Sequence, residues 1–125
     1  MSERSERNTG TAAPKPPIPN VTVAGSTNRS GTISVRATDQ GMPVEITFER
    51  SEYRYGAQTL ANEILRLTQR STIVAKARRR EQLAESGMPD DILDKLGLPT
   101  RKAAVDELDR IDDADTGPTT WMRPV

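Results

Sequence analysis

The sequence predicts an α+β fold: a short antiparallel sheet of two to three strands, then one long helix, then one or two short C-terminal helices, between disordered tails. Three observations carry this. The segments 32–37 and 44–49 alternate apolar and polar residues with period two. From Ala57 to Ser86 there is neither Pro nor Gly, which suits an unbroken helix. Gly87-Met88-Pro89 and Gly97-Leu98-Pro99 then supply two helix stops.

Residues 1–20 read as a disordered proline-rich tail. Lys15-Pro16-Pro17-Ile18-Pro19 favours polyproline II, and its prolines lack the N–H a helix needs. Val21-Thr22-Val23 is a short extended run suited to a sheet edge, and Gly25 to Gly31 reads as a polar loop. Ile33, Val35 and Ala37 share one face of the next strand. Val44, Ile46 and Phe48 share one face of its partner, with Asp39-Gln40-Gly41 as the turn. Antiparallel sheets allow such a dry face and wet face.

A two-stranded hairpin is marginal in water, so the apolar face needs a cover. Leu60, Ile64, Leu67 and Val74 follow helical spacing, with Ser71 in the same row. These residues and Ile33, Val35, Val44, Ile46 and Phe48 form the expected helix–sheet core or dimer contact. At about 1.5 Å per residue the helix spans roughly 40 Å, against about 20 Å for the strands. Its far half is therefore expected to overhang the sheet and to need a partner. A second helix opens at Pro89 or Asp90 with Ile92, Leu93 and Leu96 on one face. Thr100 is placed to cap a last helix through Ile111. The folded domain is expected over 21–111, with 112–125 a disordered acidic tail.

Of the 125 residues only 34% are hydrophobic, and the aromatics are Phe48, Tyr53, Tyr55 and Trp121. So thin a core favours self-association, and a homodimer is expected. The chain has no Cys and no His, which excludes disulfides, thiolate chemistry and the commonest general base. No glycine-rich phosphate loop occurs, and the carboxylate pairs fall in polar, wet segments. No catalytic, cofactor-binding or metal-ligating residues are assigned, and no enzyme is expected. The N-terminus has no apolar stretch of a signal peptide, and no segment is long and apolar enough to span a bilayer. A cytoplasmic location without membrane insertion is expected.

Charge is unevenly spread. Residues 1–80 carry 13 Lys/Arg and 7 Asp/Glu, a net +6, and residues 81–125 carry 5 and 11, a net −6. Arg66, Arg70, Lys76, Arg78, Arg79 and Arg80 lie along the long helix with no acid between Arg66 and Arg80. This stripe suits either a phosphate backbone or a solvated face. No aromatic is interleaved with it, so single-strand recognition by base stacking is not expected. Trp121 is a candidate docking anchor in the tail, since aromatics dominate interface hot spots.

The run Gly31-Thr-Ile-Ser-Val-Arg-Ala, then Val44-Glu-Ile-Thr-Phe, then Leu60-Ala-Asn-Glu-Ile-Leu, resembles the sheet and C-terminal helix of the YbaB/EbfC family. The stretches Leu60-Ala61-Asn62-Glu63-Ile64, Ala75-Lys76-Ala77-Arg78 and Leu96-Gly97-Leu98-Pro99-Thr100 are similar to EspH-type accessory proteins of mycobacterial type VII secretion loci. The resemblance covers roughly residues 30–100. It implies a cytosolic, non-catalytic secretion accessory or chaperone-like factor bound to a secretion component or substrate. The alternative it implies is a YbaB-like homodimer that binds double-stranded DNA with little sequence preference. YbaB-like chains carry a long helix before the sheet, and the proline-rich residues 1–20 depart from that pattern.

Overall fold

The alternating segments pair as their pattern requires. In this computed structural model, residues 20–122 are described, with side chains through 113. The elements are β1 (Val23–Thr27), β2 (Ile33–Thr38), β3 (Pro43–Phe48), a 3-10 helix (Arg50–Tyr55), α1 (Ala57–Glu85), α2 (Asp90–Lys95) and α3 (Arg101–Met122). The sheet order is β1-β2-β3, antiparallel throughout. This is the expected α+β class. The expected proline-rich tail, save Asn20, lies outside the described residues.

Ile33 stands opposite Phe48 and Val35 opposite Ile46, so the two apolar rows share one face. Val44 has no partner across the ladder: the register shifts between Arg36 and Ala37, a β-bulge. The turn is closed by Thr38, whose N–H donates to the Met42 carbonyl at 2.9 Å and whose hydroxyl accepts from Gln40 and Met42 N–H.

β1 corrects the sequence reading. The expected strand stopped at Val23 and the expected loop began at Gly25, yet β1 runs through Gly25 to Thr27. Pairing with β2 overrides weak local propensity here. Gly25 stands opposite Arg36, and a Cβ on it would meet Arg36 Cγ at 3.4 Å. Ala24, opposite Ala37, fills the buried face instead. Asn28 ends the strand: its Oδ1 accepts from Thr32 and Ile33 N–H at 2.9 and 3.0 Å. Ahead of β1, Thr22 is buried and its hydroxyl donates to Gln82 Oε1 at 2.7 Å, fixing the first strand to the end of α1.

α1 lies over β1 and β2. Ile33, Val35, Leu60 and Leu67 form the core, with Phe48 and Ile64 packed against it. Ser71 and Ala75 continue the same helix row and are fully buried. The far half of α1 does not wait for another molecule: α2 and α3 fold back on it and bury Leu93, Leu98 and Ala104. The predicted overhang is therefore covered by the chain itself. Val74 lines a crevice with Ala104, Val105 and Leu108 of α3, so it packs between helices rather than on the sheet.

Thr100 caps α3 as expected, its hydroxyl accepting from Ala103 N–H at 3.1 Å. α3 then passes its expected end at Ile111 and continues to Met122. No Pro or Gly interrupts it from Arg101 to Thr116, and Asp112 is held by two arginines of α1. Of the expected acidic tail, only 123–125 lie wholly outside the described residues.

Candidate interaction surface

Helical spacing puts Arg66 and Arg70 one turn apart on one flank of α1. The structure turns that flank inward. Asp112 of α3 receives both guanidinium groups, Arg66 at 3.0 Å and Arg70 at 2.8 Å. Arg66 also pairs with Glu63, and Arg70 Nε donates to the Ser26 hydroxyl of β1. Further along, Arg78 donates to the Val23 carbonyl at 2.8 Å. Arg80, its side chain only 12% exposed, donates to Asp94 and to the Leu98 carbonyl, with Asp90 at 3.8 Å. Arg79 is engaged too, and Lys76 is half-buried.

The six cations are thus mostly struts between α1 and its neighbours. Their acids, from Asp90 to Asp112, lie 10 to 46 residues away in sequence, except for Glu63. A local reading of the stripe sees the cations and not the partners. The net charge a phosphate backbone would meet on this flank is correspondingly reduced.

The uncovered surface is elsewhere. Strands stand about 4.8 Å apart and a helix is about 10 Å wide, so one helix covers about two strands. α1 is seated over β1 and β2, which leaves the inner face of β3 open. Val44 is 52% exposed and Ile46 43% exposed. These two belong to the row expected in the core, and the placement of α1 is why they are outside it. Phe48, at the end of β3, does reach the core, and Tyr53 packs edge-on against its ring at 5.5 Å.

Because Arg70 reaches β1, the opposite flank of α1 faces the β3 side. That flank carries Leu65, 58% exposed, with Thr68 and Thr72. These residues share a groove of about 450 Å³ with Gly41, Gln69, Ile73, Glu107 and Ile111. Met42, in the turn into β3, and Tyr53 add exposed apolar surface. The sequence identified Val44 and Ile46 as apolar and inward. It carried no signal for Leu65 as a surface residue, because helical periodicity cannot say how wide a sheet the helix covers.

Trp121 lies on α3, and its side chain is outside the described residues. Among the described residues no cluster of carboxylates is placed to hold a metal ion, and no helix is long and apolar enough to cross a membrane. In comparisons with protein-family models, curated proteins and solved structures, the chain finds no match.

Proposed function

We propose that this chain is a non-enzymatic, cytoplasmic protein-interaction factor. It binds an apolar helix of another protein along the inner face of β3 and the adjoining flank of α1. The observation that carries this reading is the open apolar strip: Val44, Ile46 and Leu65 stay exposed although the chain has folded two more helices onto α1. Contiguous exposed apolar surface rimmed by polar groups marks binding sites. Leu65, Thr68, Gln69 and Thr72 line the groove along α1 at the three- and four-residue spacing of one helix flank, which a partner helix laid beside α1 would follow. The sequence resemblance described above suggests the setting, an accessory or chaperone-like role in a type VII secretion system. The engaged arginines weigh against the alternative of a DNA-binding homodimer, whose affinity would rest on them.

The test is calorimetric titration of the full chain with purified products of neighbouring genes, alongside Leu65→Lys. Binding that is lost in Leu65→Lys and changes little with salt supports the reading. Salt-sensitive binding to a random duplex, with no protein partner, overturns it in favour of the DNA-binding alternative.

A further inference from the structure

The face of β3 is one feature; its edge is another. β3 is the outer strand of the sheet, so half of its backbone groups have no strand partner among the described residues. Natural edge strands are blocked by inward charges, lysines, prolines or a covering element. The other edge is treated that way: Arg78 donates to the Val23 carbonyl of β1, and Arg70 reaches Ser26. From Val44 to Phe48, β3 has no lysine, no proline and no inward-facing charge. Pro43 and the bulge at Val44 limit its reach at one end only.

The ladder tells which groups point outward. Glu49 N–H donates to the Thr32 carbonyl, so Glu49 and, by antiparallel alternation, Thr47 and Glu45 turn their backbone groups toward β2. Ile46 and Phe48 turn theirs to the open edge. Two copies of β3 can meet antiparallel about a two-fold axis, and the centres that keep the seam on the middle of the strand are Glu45, Ile46 and Thr47. Centring on Glu45 sets Glu45 against Glu45 of the second copy. Centring on Thr47 sets Glu45 against Glu49, twice. Centring on Ile46 opposes Ile46 to itself, Val44 to Phe48, and Glu45 to Thr47, with no like charges across the seam. Only this centre also makes Ile46 a doubly hydrogen-bonded pair on the axis.

We propose that the partner at this edge is a second copy of the chain, joined through β3 about a two-fold axis at Ile46 to give a continuous six-stranded sheet. The contact is isologous, as closed dimers require. It goes beyond the partner-helix reading, because it uses the backbone edge of β3 and not the groove. With five residues from each strand the interface is small, so dissociation is expected on the order of micromolar.

The chain's mass is measured by light scattering at about 0.2 mM, well above the micromolar range expected for so small an interface, with unfolding checked by circular dichroism. A mass of twice 13.8 kDa is expected for the wild type. Ile46→Pro removes the outward N–H without touching the bonds to β2, and a monomer is expected. Thr47 is exposed and faces Glu45 of the second copy, so Thr47→Lys is expected to tighten the dimer and Thr47→Glu to weaken it. Each shift is roughly three- to tenfold, since two such pairs form per dimer. These opposite signs test the register even if Ile46→Pro fails to fold. A monomeric wild type overturns the proposal and leaves the partner-helix reading to the Leu65→Lys titration. A dimer that Ile46→Pro does not disturb, or that both Thr47 variants weaken alike, overturns it as well.

Discussion

The hydroxyl of Ser71, fully buried in the middle of α1, donates to the Val35 carbonyl of the central strand at 3.0 Å. By the alternation of the ladder, that carbonyl already faces Ser26 of β1, so Ser71 takes its second lone pair. A small polar residue is what lets helix and strand approach this closely. Ser71→Ala is expected to cost about 1 kcal/mol of stability, the net worth of one hydrogen bond. Ser71→Leu is expected to cost about 1–3 kcal/mol from overpacking. Urea unfolding followed by circular dichroism measures both.

Arg80 binds the end of α2 to α1 through the Asp94 carboxylate and the Leu98 carbonyl. Both bonds leave one nitrogen, Nη1, while Nη2 lies 3.8 Å from Asp90, so a lysine ammonium can replace the first two contacts but not the third. Arg80→Ala is expected to cost about 1–3 kcal/mol, with Arg80→Lys recovering only part. Hydrogen exchange should localise the loosening to residues 90–98 rather than to the sheet.

Asp112 is the shared acceptor for Arg66 and Arg70. Asp112→Ala removes the acid the two arginines share, leaves Arg66 its pair with Glu63 and Arg70 its bond to Ser26, and is expected to make this flank more basic. Duplex DNA affinity should rise in the variant and fall steeply with added salt, through counterion release. Fluorescence anisotropy at two salt concentrations checks this. The same variant should speed hydrogen exchange in α3 beyond Leu108.

The two glycines that end α1 and α2 act alike. Met88 N–H donates to Leu83 and Gly87 N–H to Ala84. Leu98 N–H donates to Leu93 and Gly97 N–H to Asp94. Both are Schellman caps, with φ of 104° at Gly87 and 77° at Gly97. At the second, Leu93 and Leu98 close the cap as a buried apolar pair. Gly97→Ala is expected to cost about 1–2 kcal/mol for a Cβ in left-handed backbone. A thermal melt should show the loss, and Gly87→Ala should show one of similar size.

These caps were legible in the sequence because they are local: a helix pattern, a glycine, an apolar residue and a proline in a row. The β2–β3 hairpin was legible for the same reason, since period-two alternation and the turn sit side by side in the chain. β1 was not, because a strand carrying Gly25, Ser26 and Thr27 is stabilised by β2 and not by its own pattern. The basic stripe was read as a surface because Asp94 and Asp112 are distant in the chain. Whether Val44 and Ile46 are buried depended on the lateral seat of α1, a tertiary fact that no periodicity encodes.

That off-centre seat has a consequence for the paired molecule. The line between β1 and β2 lies two strand spacings from the two-fold axis, so the two α1 axes would stand about 19 Å apart. Packed helices stand about 8–10 Å from one another, so the trough between them is one helix wide. Its floor is Val44 and Ile46 from both chains, and its walls carry Leu65. Two chains would therefore share a single partner helix, and a titration should reach its equivalence point at one partner for every two copies.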